Sequence, residues 1–240
     1  MKKNEGWVIS HFPEDLKNLN YVEPFCGNST VFFEKEKSSI EVINDKNENI
    51  INLLKTIRDD HKELQKRLNH LKFNESTFEK FQKLETKDHI DSAMKEFVLT
   101  KMSKNESKEV FNLTKAKQNI WENSLKEIPK LSQRMQGIFI YSKDVIQILS
   151  TFNYENTFIY CKPPYLKENK LSKKVYTSEM KPEDHMNLSY LLGNFKGKVL
   201  LRGYSSPLYN RLYKGWNIEK AKVSSKDKKE NKLEIIWKNY

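Results

Sequence analysis

Cysteine is scarce in this chain: Cys26 and Cys161 are the only two in 240 residues. Two thiols do not make a disulfide framework, and they fit a reducing cytosol. No apolar run is long enough to span a bilayer. No signal-peptide core follows the opening Met1-Lys2-Lys3-Asn4-Glu5-Gly6. These absences lead us to expect a soluble, cytoplasmic protein with no membrane partner. Apolar content is modest, yet Phe, Tyr and Trp are plentiful, which argues against disorder. What the chain has in excess is positive charge, +11 in formal net terms. Such an excess favours phosphate-bearing partners. A Lys/Asn/Glu-rich composition of the kind AT-rich genomes produce gives the same surplus, so charge alone leaves both readings open.

The residue pattern reads as alternating strands and helices. Tyr21–Phe25 is a short strand ending in Cys26-Gly27-Asn28-Ser29, and a helix starts at Thr30. Ile40–Ile43 is a second strand, with Asn44-Asp45 at its carboxyl end. Asn49–Leu71 then carries apolar residues at helical spacing, predicting one long helix. This order opens a doubly wound sheet. From about His61 to Lys130 the strand signal gives way to charged, helix-forming sequence with scattered aromatics. Strands return at 137–141, 157–160, 198–202, 216–222 and 233–237, and Pro182–Leu192 reads as a helix with Gly193 as its C-cap. Lys226–Lys232 reads as a hairpin loop between the last two strands. The expected fold is therefore α/β, a mixed sheet of about seven strands with a helical insertion. A discontinuous core of residues 1–60 and 131–240 would surround an insert of 61–130.

Four places carry candidate chemistry. The small-residue turn after Tyr21-Val-Glu-Pro-Phe lets the backbone at Gly27 approach a nucleotide-like ligand; an ordinary βα turn looks the same. Asp45 follows the second strand about 20 residues past that turn, the spacing of a ribose-binding carboxylate; a helix N-cap is the plainer reading. Asp144, after Lys143, can accept from an adenine amino group or simply cap the Val145–Leu149 helix. The fourth is Lys162-Pro163-Pro164-Tyr165, which ends an apolar strand. Two prolines fix φ and donate no hydrogen bonds, so the strand stops in a rigid turn at the edge where α/β sheets place their sites. A Pro-Pro turn also serves purely structural ends. Lys162 cannot accept a hydrogen bond while protonated. Neutralising it requires a pKa fall of roughly 3 units, about 4 kcal/mol.

In order along the chain, these residues resemble the Dam-like (D12 class) DNA adenine N6-methyltransferases. Val8–Pro13, Tyr21–Phe33, Ile43–Asp45, Phe97–Ser103, Val175–Met180, Gly197–Leu200 and Leu212–Trp216 all read like family segments. The resemblance implies a Rossmann-like class I S-adenosylmethionine-dependent fold and methyl transfer to adenine N6 in double-stranded DNA. It also implies Glu23, Phe25, Gly27, Asp45 and Asp144 at the cofactor, Tyr165 under a flipped base, a DNA-reading insert and no metal. The family's tetrad begins with Asp, Asn or Ser, where this chain has Lys162. Its loop has a second glycine where this chain has Ser29, and its Gly-Lys segment has no match ahead of Gly6-Trp7. Weak binding of S-adenosyl-L-methionine and impaired transfer are the expected consequences. The competing expectation is a pseudo-methyltransferase that binds nucleic acid or a partner without transferring methyl groups. Candidate phosphate contacts are Lys101, Lys104, Lys108, Lys115 and Lys117, expected in one glycine-free helical stretch. Cys26 and Cys161 are expected as reduced thiols on neighbouring strand ends, flanking the pocket.

Overall fold

The computed structural model describes residues 3–104, 108–166, 180–221 and 234–240. Among the described residues seven strands form one sheet: β1 (Asn20–Glu23), β2 (Ile40–Asn44), β3 (Phe139–Tyr141), β4 (Thr157–Cys161), β5 (Lys198–Tyr204), β6 (Asn217–Lys220) and β7 (Glu234–Lys238). Their order across the sheet is β3-β2-β1-β4-β5-β7-β6. β1 pairs in parallel with β2 and β4, and β4 with β5. β7 runs antiparallel between β5 and β6. The result is a Rossmann-like mixed sheet, as expected from the alternation of strands and helices in the sequence. All five residues of β4 are buried, as expected of a central parallel strand covered on both faces.

The described residues divide into two compact units, one running to Lys46 and resuming at Tyr141, the other Asn47–Ile140. The first contains α1 (Lys3–Ile9) and α2 (Thr30–Glu34). The second contains α3 (Glu48–Asp59), α4 (His61–Asn69), α5 (Glu75–Lys83), α6 (His89–Met102) and α7 (Lys115–Arg134). The first unit resumes with α8 (Val145–Thr151), α9 (Pro182–Gly193) and α10 (Pro207–Leu212).

In the sheet unit, alternate residues serve opposite faces. Val22, Ile159, Cys161, Val199, Leu201 and Trp237 join side chains of α8, α9 and α10 in one apolar core. On the opposite side Tyr21, Phe158 and Tyr160 gather around Phe12, whose ring lies 4.8 Å from that of Phe158. Gly197 lies just ahead of β5 where no side chain fits: a Cβ there would lie 2.1 Å from the Thr157 carbonyl oxygen. In the helical unit, Phe97 and Phe73 pack on Trp121, and Phe73 and Phe78 on Phe111.

Three expectations are corrected. The long helix expected over Asn49–Leu71 is two helices: Asp60 leaves helical geometry (φ −126°, ψ 27°) to end α3 and take the N-cap position of α4, while the apolar periodicity runs on through the bend and hides it. The cap of α9 is Asn194; Gly193 is still helical. The lysines between 101 and 117 do not share one helix. α6 ends at Met102, an antiparallel bridge joins Ser103 to Phe111, and α7 begins at Lys115. The Lys226–Lys232 loop and residues 175–179 of the family-like segment lie outside the described residues.

Candidate active site

The carboxyl ends of the parallel strands converge through Asn44, a buried residue at the end of β2. Its side-chain amide donates to the Pro24 carbonyl at 3.0 Å and to the Lys143 carbonyl at 3.0 Å. Its side-chain oxygen accepts from the Lys143 N–H at 2.9 Å. One amide thereby ties the loop after β1 to the segment after β3. The backbone N–H of Cys26 also donates to the Asn44 carbonyl. The Gly27 N–H donates to Asp45 Oδ2 at 2.8 Å. Gly27 has φ +46°, and a Cβ built on it meets nothing within 4 Å, so this backbone faces open space. Ser29 also holds a left-handed conformation, at φ 50° and ψ 29°. The loop thus keeps a glycine-like path at a residue that is not glycine.

Glu23 closes β1 and is buried. Tyr21 Oη donates to its Oε2 at 2.6 Å. Burial pushes the Glu23 carboxyl up to about 8. The Tyr21 hydrogen bond and the charges of Lys162 and Lys35 act in the opposite direction, while the Asp45 charge adds to the rise. Lys35, at the end of α2, lies over the Tyr21 ring and pairs with buried Glu41. Cys26 sits beside Asp45 and Glu23, and burial raises its thiol well above the ordinary range.

The turn after β4 is anchored at both ends. Cys161 lies in the apolar core, as does Leu166 just past the turn. Between them Pro163 is buried, Pro164 and Tyr165 are half-buried, and Lys162 is exposed. The expectation that both thiols flank a pocket is corrected here. Both are free and buried, but strand alternation turns Cys161 into the core beside Ile159. The Tyr165 ring rests on Tyr204, at the end of β5, with centroids 4.6 Å apart and planes 59° from parallel. Burial pushes its phenol up, and the nearby Glu234 carboxylate adds to this.

Geometry therefore brings Glu23, Gly27 and Asp45 together at one edge of the sheet, with the Lys162–Tyr165 turn on the adjoining strand. Phe25, in the same loop, packs partly against the core. Asp144 follows the Asn44-bound Lys143, and its carboxylate caps α8 by accepting from the Ile146 N–H at 2.9 Å. The five candidate lysines occupy the helical unit. Lys108, at φ 56°, is ion-paired with Glu96, which is 6% exposed. Lys101 stands 5.7 Å from the Phe97 ring centroid, and Lys104 and Lys115 are exposed. Lys117 is half-buried in the first turn of α7.

Sequence reasoning missed two features of this edge. One is the bridging role of Asn44, whose partner Lys143 lies 99 residues away. The other is a buried pair, Arg202 with Glu234, whose only sequence signal is an arginine following the apolar run Val199-Leu200-Leu201. Among the described residues no group of three or more His, Cys, Asp and Glu is arranged to hold a metal ion. Nor is any described helix long and apolar enough to cross a membrane.

Comparison with known proteins adds independent findings. The family model of D12 class N6 adenine-specific DNA methyltransferase matches residues 5–230. The Type II methyltransferase M1.LlaDCHI of Lactococcus lactis subsp. cremoris is 27% identical over 250 residues, covering 93% of this chain and 87% of that protein. Two structures of the rRNA methyltransferase aviRa from Streptomyces viridochromogenes match 97% of this chain at TM-scores of 0.42 and 0.44. They are 9% and 10% identical to it, with 80% and 81% of their own chains covered.

Proposed function

This chain belongs to the D12 class N6 adenine-specific DNA methyltransferase family, and from that premise we propose that it binds S-adenosyl-L-methionine and double-stranded DNA for transfer to N6 of a flipped adenine. The observation that carries this reading is the bond from Gly27 N–H to the Asp45 carboxylate, beside buried Glu23 and next to the Pro-Pro-Tyr turn. The donor set fits the cofactor. Asp45 is the carboxylate for its ribose hydroxyls, since a carboxylate accepts about four hydrogen bonds. Glu23, which burial keeps protonated, can accept from its ammonium group through the carboxyl's C=O oxygen, Gly27 lets the backbone approach, and Phe25 and Asp144 border the adenine end. When bound, the cofactor supplies a methyl group activated on a sulfonium.

The protein's own contribution is positional and electrostatic. Tyr165 offers an aromatic face to a base taken out of the stack. The helical insert, residues 61–130 in this reading, contacts DNA, with Lys101, Lys104, Lys108, Lys115 and Lys117 at phosphates. Adenine N6 is a poor nucleophile because its lone pair is delocalised into the ring. The first tetrad position must accept its hydrogen bond as positive charge develops. Lys162 supplies a like charge there, so transfer by this chain is strongly slowed. That charge also acts on Glu23, which favours a second reading: a cofactor-fold protein that binds DNA or a partner without transfer.

Calorimetric titration with S-adenosyl-L-methionine tests the site independently of substrate. We expect saturable but weak binding that Asp45→Ala abolishes. No heat at millimolar cofactor, or binding indifferent to Asp45→Ala, would remove the cofactor reading.

A further inference from the structure

Arg202 is 5% exposed and sits on β5 among apolar neighbours. Its Nε and Nη2 donate to the two carboxylate oxygens of Glu234, at 2.7 and 3.0 Å. Its Nη1 donates to Tyr160 Oη at 3.4 Å. Strand register sets Glu234 opposite Tyr204, and Tyr204 shares a sheet face with Arg202 two residues earlier. The Tyr204 ring carries Tyr165. Side chains of β4, β5, β7 and the turn after β4 therefore form one connected cluster.

A buried ion pair contributes little net stability compared with apolar residues of similar volume. What a two-bond pair supplies is orientation: the planar guanidinium is fixed by both carboxylate oxygens. Pro163 and Pro164 hold the backbone of the turn but leave the Tyr165 side-chain torsions to packing. The surface it packs on is Tyr204.

We propose that Arg202 and Glu234 are positioning residues of the target-base site, holding Tyr204 and Tyr160 so that Tyr165 presents a fixed face to an extruded base. This rests on the adenine-methyltransferase reading above. It goes beyond that reading by placing base recognition under the control of a buried pair outside the residues assigned above to base and cofactor.

The test uses the full chain labelled with 3-fluorotyrosine. Fluorine NMR reports Tyr165, assigned with Tyr165→Phe, and a set of duplexes of varied sequence, each with 2-aminopurine in place of one adenine, reports base extrusion. Arg202→Lys keeps the charge but loses the two-bond geometry; Glu234→Gln keeps the shape but loses the charge. We expect both to shift or broaden the Tyr165 resonance. They should weaken the 2-aminopurine response by about tenfold, as a loosened base–aromatic stack does. Cofactor affinity should stay as in the parent. Should a single variant fail to melt cooperatively, Arg202→Met/Glu234→Leu carries the test, because it leaves no buried charge unpaired. Folded variants with an unchanged Tyr165 resonance overturn the proposal. If the parent protein gives no 2-aminopurine response on any duplex of the set, the adenine reading fails, and the fluorine spectra alone decide whether the pair positions Tyr165.

Discussion

Replacing Ser29 with glycine should stabilise the protein. Ser29 holds φ 50° and ψ 29° at the start of α2, a conformation that costs a residue with a Cβ roughly 1–2 kcal/mol. Its hydroxyl is buried without a nitrogen or oxygen partner; the neighbouring Cys26 thiol is a weak one. Burying such a group costs about 1–3 kcal/mol. Glycine removes both penalties but loses about 0.4–1 kcal/mol through greater freedom of the unfolded chain. The balance is about 2 kcal/mol in favour of Ser29→Gly. At this chain length that raises Tm by about 4–8 °C. Differential scanning calorimetry measures it. Ser29→Ala removes the hydroxyl but keeps the Cβ, so its Tm should fall between the other two. A Tm for Ser29→Gly equal to or below that of the parent would refute the reasoning.

Gly197→Ala should destabilise by at least about 3 kcal/mol, because the added methyl would sit 2.1 Å from the Thr157 carbonyl oxygen and 2.6 Å from that of Tyr154; urea denaturation measures the loss. Burial raises the Glu23 carboxyl from 4.5 to about 8, so the folded protein retains a proton that the unfolded chain releases. The resulting stabilisation is complete below the lower value and is lost as pH climbs to the upper one. Glu23→Gln keeps the uncharged form, so its urea midpoint should depend less on pH across that window; identical slopes would count against a proton on Glu23. DNA affinity should fall steeply when salt rises fourfold, and Lys115→Gln/Lys117→Gln should reduce the log–log slope by about 1 for each of the two lysines that neutralises a phosphate. A slope unchanged in the double variant would leave these lysines as a solvated face.

The strands were legible because each is an apolar run closed by turn residues, and burial of both faces leaves that signature in a single sequence. The seven strands fall within a few residues of their expected positions. Helix breaks were less visible. Leu64 and Leu68 keep the apolar rhythm of Leu54 and Ile57, which masks the one local sign of the bend, Asp60 with Glu63 three residues on, a helix-start pattern. The bridge between Ser103 and Phe111 was missed for a related reason. Its described chain includes Lys108 at positive φ, a conformation that usually signals itself with Gly or Asn. At the candidate site, Gly27, Asp45 and the Pro-Pro-Tyr turn were readable from their places after strands. The Asn44 amide and the Arg202–Glu234 pair were not. Their partners come from distant parts of the chain, 99 and 32 residues away, and no local periodicity encodes such a meeting.

In the function proposed above, this site keeps its family's architecture while Lys162 holds back the chemistry. Methyl transfer from tritiated S-adenosyl-L-methionine into duplex DNA, compared between the parent chain and Lys162→Asp, tests it most directly. A missing catalytic electrostatic contact is worth about 100- to 1000-fold in rate, so the Asp variant should exceed the parent by at least that factor. Equal rates, whether both readily measured or both undetectable, would contradict the account.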